Sequence, residues 1–97
     1  MPAYVIVDVT VHDPETYKEY AAGTPGVIAQ YDGRFIVRGG AVTPQEGDWS
    51  PQRIVVLEFA DMNAARRWYD SPEYQALLPL RERAATSRLI FVEGYDG

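Results

Sequence analysis

Residues 33–40 read Gly-Arg-Phe-Ile-Val-Arg-Gly-Gly, and residues 53–59 read Arg-Ile-Val-Val-Leu-Glu-Phe, with a Gly47-Asp48-Trp49 turn between them. Both runs are β-branched and aromatic, as strands are. The segment from Thr43 to Pro51 is too long for a tight hairpin and carries Gly47 and two prolines, so it is expected to be an open loop. Each strand also carries a charge that its apolar pattern would bury: Arg38 in a strand over Phe35 to Val42, and Glu58 near the end of a strand over Arg53 to Phe59. An unpaired buried charge is too costly to keep without a partner or water. The pair therefore points to a polar pocket set in an apolar sheet.

The flanking segments complete the order. Ala3 to Val11 is valine-rich and alternating, which predicts a first strand. Asp13-Pro14-Glu15 supplies an N-cap, a first-turn proline and an acid at the positive helix end. Tyr17, Tyr20 and Ala21 then form a helical stripe. Gly23 and Thr24-Pro25 predict one bent helix or two short ones, ending near Asp32-Gly33. Asp61 caps a helix through Trp68 and Tyr69, and Ser71-Pro72-Glu73 starts another, with Tyr74, Leu77, Leu78 and Arg81 on one side and a kink expected at Pro79. Arg88 to Glu93 reads as the last strand. The order β-α-β-β-α-β is the ferredoxin-like, split βαβ arrangement of an α+β fold, with both crossover segments on one face of an antiparallel sheet.

Composition narrows the function classes. Residues 1–97 are of a length for one domain, with a modest core that cover from a partner would assist. A net charge of -5 and scattered arginines argue against nucleic acid. The absence of cysteine excludes disulfides, thiolate metal sites and cysteine nucleophiles. No apolar run approaches the roughly 18 residues of a membrane span, and no signal-like start is present, so a cytoplasmic protein is expected. His12 is the single histidine, which leaves no multi-histidine metal site, no Ser-His-Asp arrangement and a poorly placed haem ligand. No cofactor is expected.

Alternation gives each strand two apolar faces. Grouped by parity within each strand, one set is Val5, Val7, Val55, Leu57, Phe59, Ile90 and Val92; the other is Tyr4, Ile6, Ile54, Val56, Leu89 and Phe91. Helices can cover only one face. Exposing half a dozen large side chains forgoes on the order of 10 kcal/mol, comparable to the whole stability of a small domain. A homodimer stacked sheet to sheet is the expected solution; a monomer with a moderately apolar open face is the alternative.

Three ionisable residues are the leading site candidates. Arg38 and Glu58 come from the strands, and Arg81 falls on the apolar stripe of the last helix. Together they would form an arginine-lined cavity for an anionic or carbonyl-bearing ligand, with Glu58 as base or orienter and arginine holding an oxyanion. An internal salt-bridge network between helix and sheet is the competing reading. Trp49, on a loop, would close a pocket or anchor an interface, with interface preferred. Trp68, Tyr69 and Tyr74 have core-compatible helical spacing, and Tyr17, Tyr20 and Tyr31 read as core with wet tips.

The stretches Gly33 to Gly40, Glu46-Gly47-Asp48-Trp49, Arg53 to Phe59 and Trp68-Tyr69-Asp70-Ser71-Pro72-Glu73-Tyr74-Gln75 together resemble the domain-of-unknown-function 1330 family of the dimeric α/β-barrel superfamily. The resemblance implies a ferredoxin-like fold and a dimer whose two sheets form a barrel. It carries Arg38, Trp49, Arg53, Glu58, Trp68, Tyr69, Tyr74 and Arg81 over as pocket positions. The superfamily holds cofactor-free oxygenases, lactone isomerases, haem-handling enzymes and binding proteins. Two functions follow as expectations: a cofactor-independent enzyme on a small anionic or carbonyl-bearing molecule, or a non-catalytic metabolite-binding or purely structural dimeric module.

Overall fold

In a computed structural model, residues 1–95 are described, and they form β1 (Ala3–Val11), α1 (Pro14–Gln30), β2 (Arg34–Arg38), β3 (Arg53–Phe59), α2 (Met62–Asp70), α3 (Pro72–Ala84) and β4 (Ala85–Glu93). The strands pair antiparallel in the order β2-β3-β1-β4. This is the ferredoxin-like α+β arrangement, with the helices on one face of the sheet.

The cap signals act where the sequence places them. Asp13 accepts from the Thr16 backbone N–H at 3.3 Å and from its hydroxyl at 2.7 Å, and Asp61 accepts from the Ala64 N–H at 2.8 Å. Ser71 joins two helices: its hydroxyl donates to the Trp68 carbonyl at 2.7 Å and accepts from the Tyr74 N–H at 3.0 Å. That serine fixes Trp68 and Tyr74 ring against ring, with centroids 4.4 Å apart.

α1 is one helix, running through Gly23 and Pro25. Gly23 serves packing here, since a Cβ at that position would sit 2.7 Å from Leu77 Cδ2 on α3. Pro25 has no N–H for the carbonyl one turn back, that of Ala21. The Thr24 hydroxyl and Arg38 Nη2 occupy that carbonyl instead, at 3.1 and 3.0 Å. α3 likewise continues through Pro79.

Three sequence expectations are corrected. β2 stops at Arg38 and does not reach Val42, because Gly39 turns the chain at φ 72° and donates to the Ile54 carbonyl at 3.0 Å. The Arg53 guanidinium lies where a Cβ at position 39 would project, so both the backbone angle and the space call for glycine. β4 begins at Ala85, three residues before Arg88. Its faces are also exchanged: Val5 pairs with Phe91 and Val7 with Leu89, so Leu89 and Phe91 join the helix side while Ile90 and Val92 join the open side. Parity within a strand carries no register across strands.

The helix-side core is built from Val5, Val9, Leu57, Phe59, Trp68 and Tyr74, each buried. The opposite face stays open. Ile90 is 55% exposed there and Val92 39%, beside Tyr4, Ile6, Ile54 and Val56.

Candidate functional site

A β-bulge decides which charges meet. Phe35 pairs with Leu57 and Val37 with Val56, so Ile36 is an extra residue in β2. Strict alternation would put Phe35 and Arg38, three positions apart, on opposite faces. The bulge brings both to the helix side, where the Arg38 guanidinium lies 4.3 Å from the Phe35 ring centroid. Arg34 stays on the open side, opposite Glu58.

Arg38 and Glu58 are therefore separated by the sheet, which corrects the expectation that they share a pocket. Glu58 accepts from Arg34 Nε at 2.7 Å and Nη2 at 2.6 Å, and from the Tyr4 hydroxyl at 3.3 Å. It is a satisfied surface carboxylate.

A second open-face cluster holds Trp49. Its indole N–H donates to Asp8 Oδ2 at 3.0 Å, and Arg88 Nη2 reaches the same oxygen at 2.7 Å from the paired position on β4. The long β2–β3 loop is thus folded back over the sheet face. Trp49 lies apart from the helix-side residues and stays 56% exposed.

Between sheet and helices lies an internal cavity of about 30 Å³. That is room for about two water molecules. Arg53 and Arg38 line it from the sheet, Tyr20 from α1, Trp68 from α2, and Tyr74 and Arg81 from α3. Five candidates from the sequence meet here: Arg38, Arg53, Trp68, Tyr74 and Arg81. Tyr69 packs behind the cavity, against Trp68, Tyr74 and Phe91. His12 is remote, hydrogen-bonded to Thr86 at 2.7 Å.

Arg81 is the central observation. It is 7% exposed, and among the described residues its Nε and Nη1 have no partner and no carboxylate pairs with it. Trp68 Nε1 and Arg53 Nε, also on the lining, are buried and unpartnered too. All four groups are donors. Arg53 stacks over Tyr17, 5.5 Å from its ring centroid.

Tyr20 completes the wall, and sequence reading assigned it only to packing. Its hydroxyl is 2.7 Å from that of Tyr74. Burial pushes the Tyr20 hydroxyl far above the usual phenol range, and the neighbouring Tyr74 adds to the shift. Tyr74 is also raised by burial, with the Arg81 guanidinium drawing it part of the way back. Both stay protonated at neutral pH. The available signal was a polar tip on the helical stripe Tyr17, Tyr20, Ala21, the same signal that picked out Arg81.

Arg38 stands at the solvent end, exposed on one side and bonded to α1 through the Ala21 carbonyl on the other.

The fold defines a ferredoxin-like α+β domain, with a small donor-lined cavity on the helix side of the sheet. The chain belongs to the family described as Domain of unknown function (DUF1330), which matches residues 2–95. A comparison with curated proteins finds no match. Among solved structures, a protein of unknown function from Rhodopseudomonas palustris is similar at 18% identity and a TM-score of 0.76, covering 99% of this chain and 84% of that one. A dimeric ferredoxin-like protein of unknown function from Jannaschia aligns at 13% identity, TM-score 0.75, over 97% and 100% of the two chains. SnoaB, a cofactor-independent oxygenase from Streptomyces nogalater, aligns at 19% identity, TM-score 0.66, over 99% and 95%. At these identities the likeness shows the fold.

No group of three or more His, Asp or Glu side chains able to hold an ion occurs among the described residues. No described helix is long and apolar enough to cross a membrane.

The open-face cluster has a pH signature. The Trp49 indole N–H and the Arg88 guanidinium hold Asp8 below the usual carboxylate range, against its partial burial. A depressed midpoint means a stabilisation complete above the ordinary aspartate value of about 4 and lost as pH falls through the folded value. Trp49→Phe removes the larger contribution, so the Asp8 midpoint rises in a carboxyl-carbon NMR titration. An unchanged midpoint would contradict the Trp49–Asp8 bond.

Proposed function

We propose that this protein is a cytoplasmic homodimer whose helix-side cavity binds a small organic molecule bearing an anionic or carbonyl oxygen, and that it acts by holding negative charge on that oxygen without a cofactor. The observation carrying this reading is Arg81, buried beside Tyr74 with two nitrogens unpartnered. A guanidinium taken out of water costs several kcal/mol unless a counter-charge meets it. The competing salt-bridge network lacks its carboxylate at the cavity, since Glu58 is spent on Arg34 across the sheet. A bound anion would supply the missing partner, with Arg53 and Trp68 as further donors and Arg38 at the mouth. The fold shared with a cofactor-independent oxygenase is consistent with this chemistry.

Glu58 is not the base in this reading. The cavity lining holds no carboxylate and no imidazole, and that observation favours a second reading, a binding protein without turnover.

The dimer part rests on the open face. Ile90 and Val92 are exposed beside Tyr4 and Ile6, and among the described residues no helix covers that face. A sheet-to-sheet partner would bury this surface. Sedimentation at micromolar concentration should give a species of twice the 10.9 kDa chain mass, shifted to monomer by Ile90→Lys. A clean monomer of the unaltered chain would contradict it.

The ligand part is tested by thermal unfolding with benzoate and small lactones. Ligand at about 100 times its Kd should stabilise the protein by about 2.7 kcal/mol. Arg81→Met should stabilise the unliganded protein by on the order of 1–3 kcal/mol and abolish the ligand effect. A destabilised variant that keeps its ligand response would make Arg81 structural.

A further inference from the structure

The donors on the cavity wall are matched by no base, and that asymmetry narrows the ligand. The titratable and charged groups facing the cavity are Arg38 on β2, Arg53 on β3, Tyr17 and Tyr20 on α1, and Tyr74 and Arg81 on α3. None of these is a carboxylate or an imidazole. The buried lining nitrogens without partners, on Arg53, Trp68 and Arg81, are all N–H donors. The Tyr20–Tyr74 contact uses one of two hydroxyl protons, so one O–H is left for a further acceptor.

We infer that the cavity takes a phenol or enol of a small ring compound in its ionised form, and that it makes the bound compound a stronger acid than it is in water. This rests on the reading of the cavity as an anion site and adds the chemical class. A carboxylate is already ionised and needs no such help. A phenol or enol gains most from fixed donors around one oxygen, because each charge-assisted bond favours the oxyanion over the neutral form. Its proton leaves to bulk water, since the wall offers no acceptor. The aromatic rings of Phe35, Tyr17 and Trp68 present the flat apolar surface such a ring compound needs.

Trp68 and Tyr20 become specificity-determining residues in this scheme. Trp68 Nε1 has no protein partner among the described residues. Tyr20 and Tyr74 both stay protonated through the neutral range because burial raises them, so the pair keeps one O–H to donate and does not compete for the proton. Neither would matter to a site that merely collects anions at a surface.

The test is a spectroscopic titration of 4-nitrophenol with the full chain, reading the phenolate band as pH is varied. Its ionisation midpoint in water lies near neutrality, so a shift in either direction is visible. The expected result is saturable binding with the midpoint of bound probe lowered by about one unit or more, a tenfold gain in ionised form at fixed pH. Arg81→Met should return the midpoint to its value in water or above. Trp68→Phe and Tyr20→Phe, which keep the rings, should each raise it part of the way and serve if Arg81→Met does not fold. Binding with an unchanged or raised midpoint overturns the inference and leaves the anion site standing. Benzoate binding without any 4-nitrophenol binding overturns it as well, in favour of carboxylates. Failure of every small anion to bind overturns both this inference and the proposed function.

Discussion

A guanidinium kept from water without an acid beside it dictates most of what this structure can do. Arg81 is buried by α3 and the cavity wall, yet the described residues give it no carboxylate. Proteins seldom retain such a charge, because desolvation costs more than packing of the side-chain stem returns. The neighbouring groups do not relieve it. Tyr20 and Tyr74 are held protonated, Arg53 is a second cation, and Trp68 contributes one more unpaired donor. Satisfaction of these donors has to come from outside the chain, as water or as a ligand.

The chemistry is divided by the sheet. The strand carboxylates Asp8 and Glu58 lie on the open face, each paired with an arginine. The buried N–H donors without a protein partner, on Arg53, Trp68 and Arg81, lie on the helix face. One extra residue in β2 enforces the division, since the bulge at Ile36 sends Arg38 inward while Arg34 remains outward against Glu58. Pro25 then gives the inward arginine its anchor by leaving the Ala21 carbonyl without a helical donor. Two local irregularities, a bulge and an in-helix proline, thus set one side chain on the cavity wall.

Much of this was legible in the sequence. The caps at Asp13, Asp61 and Ser71, the alternation of β1 and β3, and the stripe from Tyr74 to Arg81 are local signals that tertiary contacts did not override. The order of elements followed from them. What could not be read was whatever depends on pairing across strands. Alternation places Ile90 and Val92 together but says nothing of whether they join Val5 or Tyr4, and the bulge that turns Arg38 inward leaves no mark in β2. For that reason Arg38 and Glu58 read as partners when the sheet parts them. Arg81 was found from its own helix, where periodicity suffices. Tyr20 carried the same mark and was missed because a tyrosine on an apolar stripe packs well without any further role.

The central claim is that the uncompensated charge at Arg81 is completed by an anion in the helix-side cavity. The most direct measurement is a crystal structure of the protein with a small aromatic anion bound. Ligand oxygen within hydrogen-bonding distance of Arg81 and Trp68 Nε1, with Arg38 moved from the Ala21 carbonyl, is the expected result. A ligand lodged on the open face by Asp8 and Trp49, with the Arg81 cavity unchanged, would contradict it.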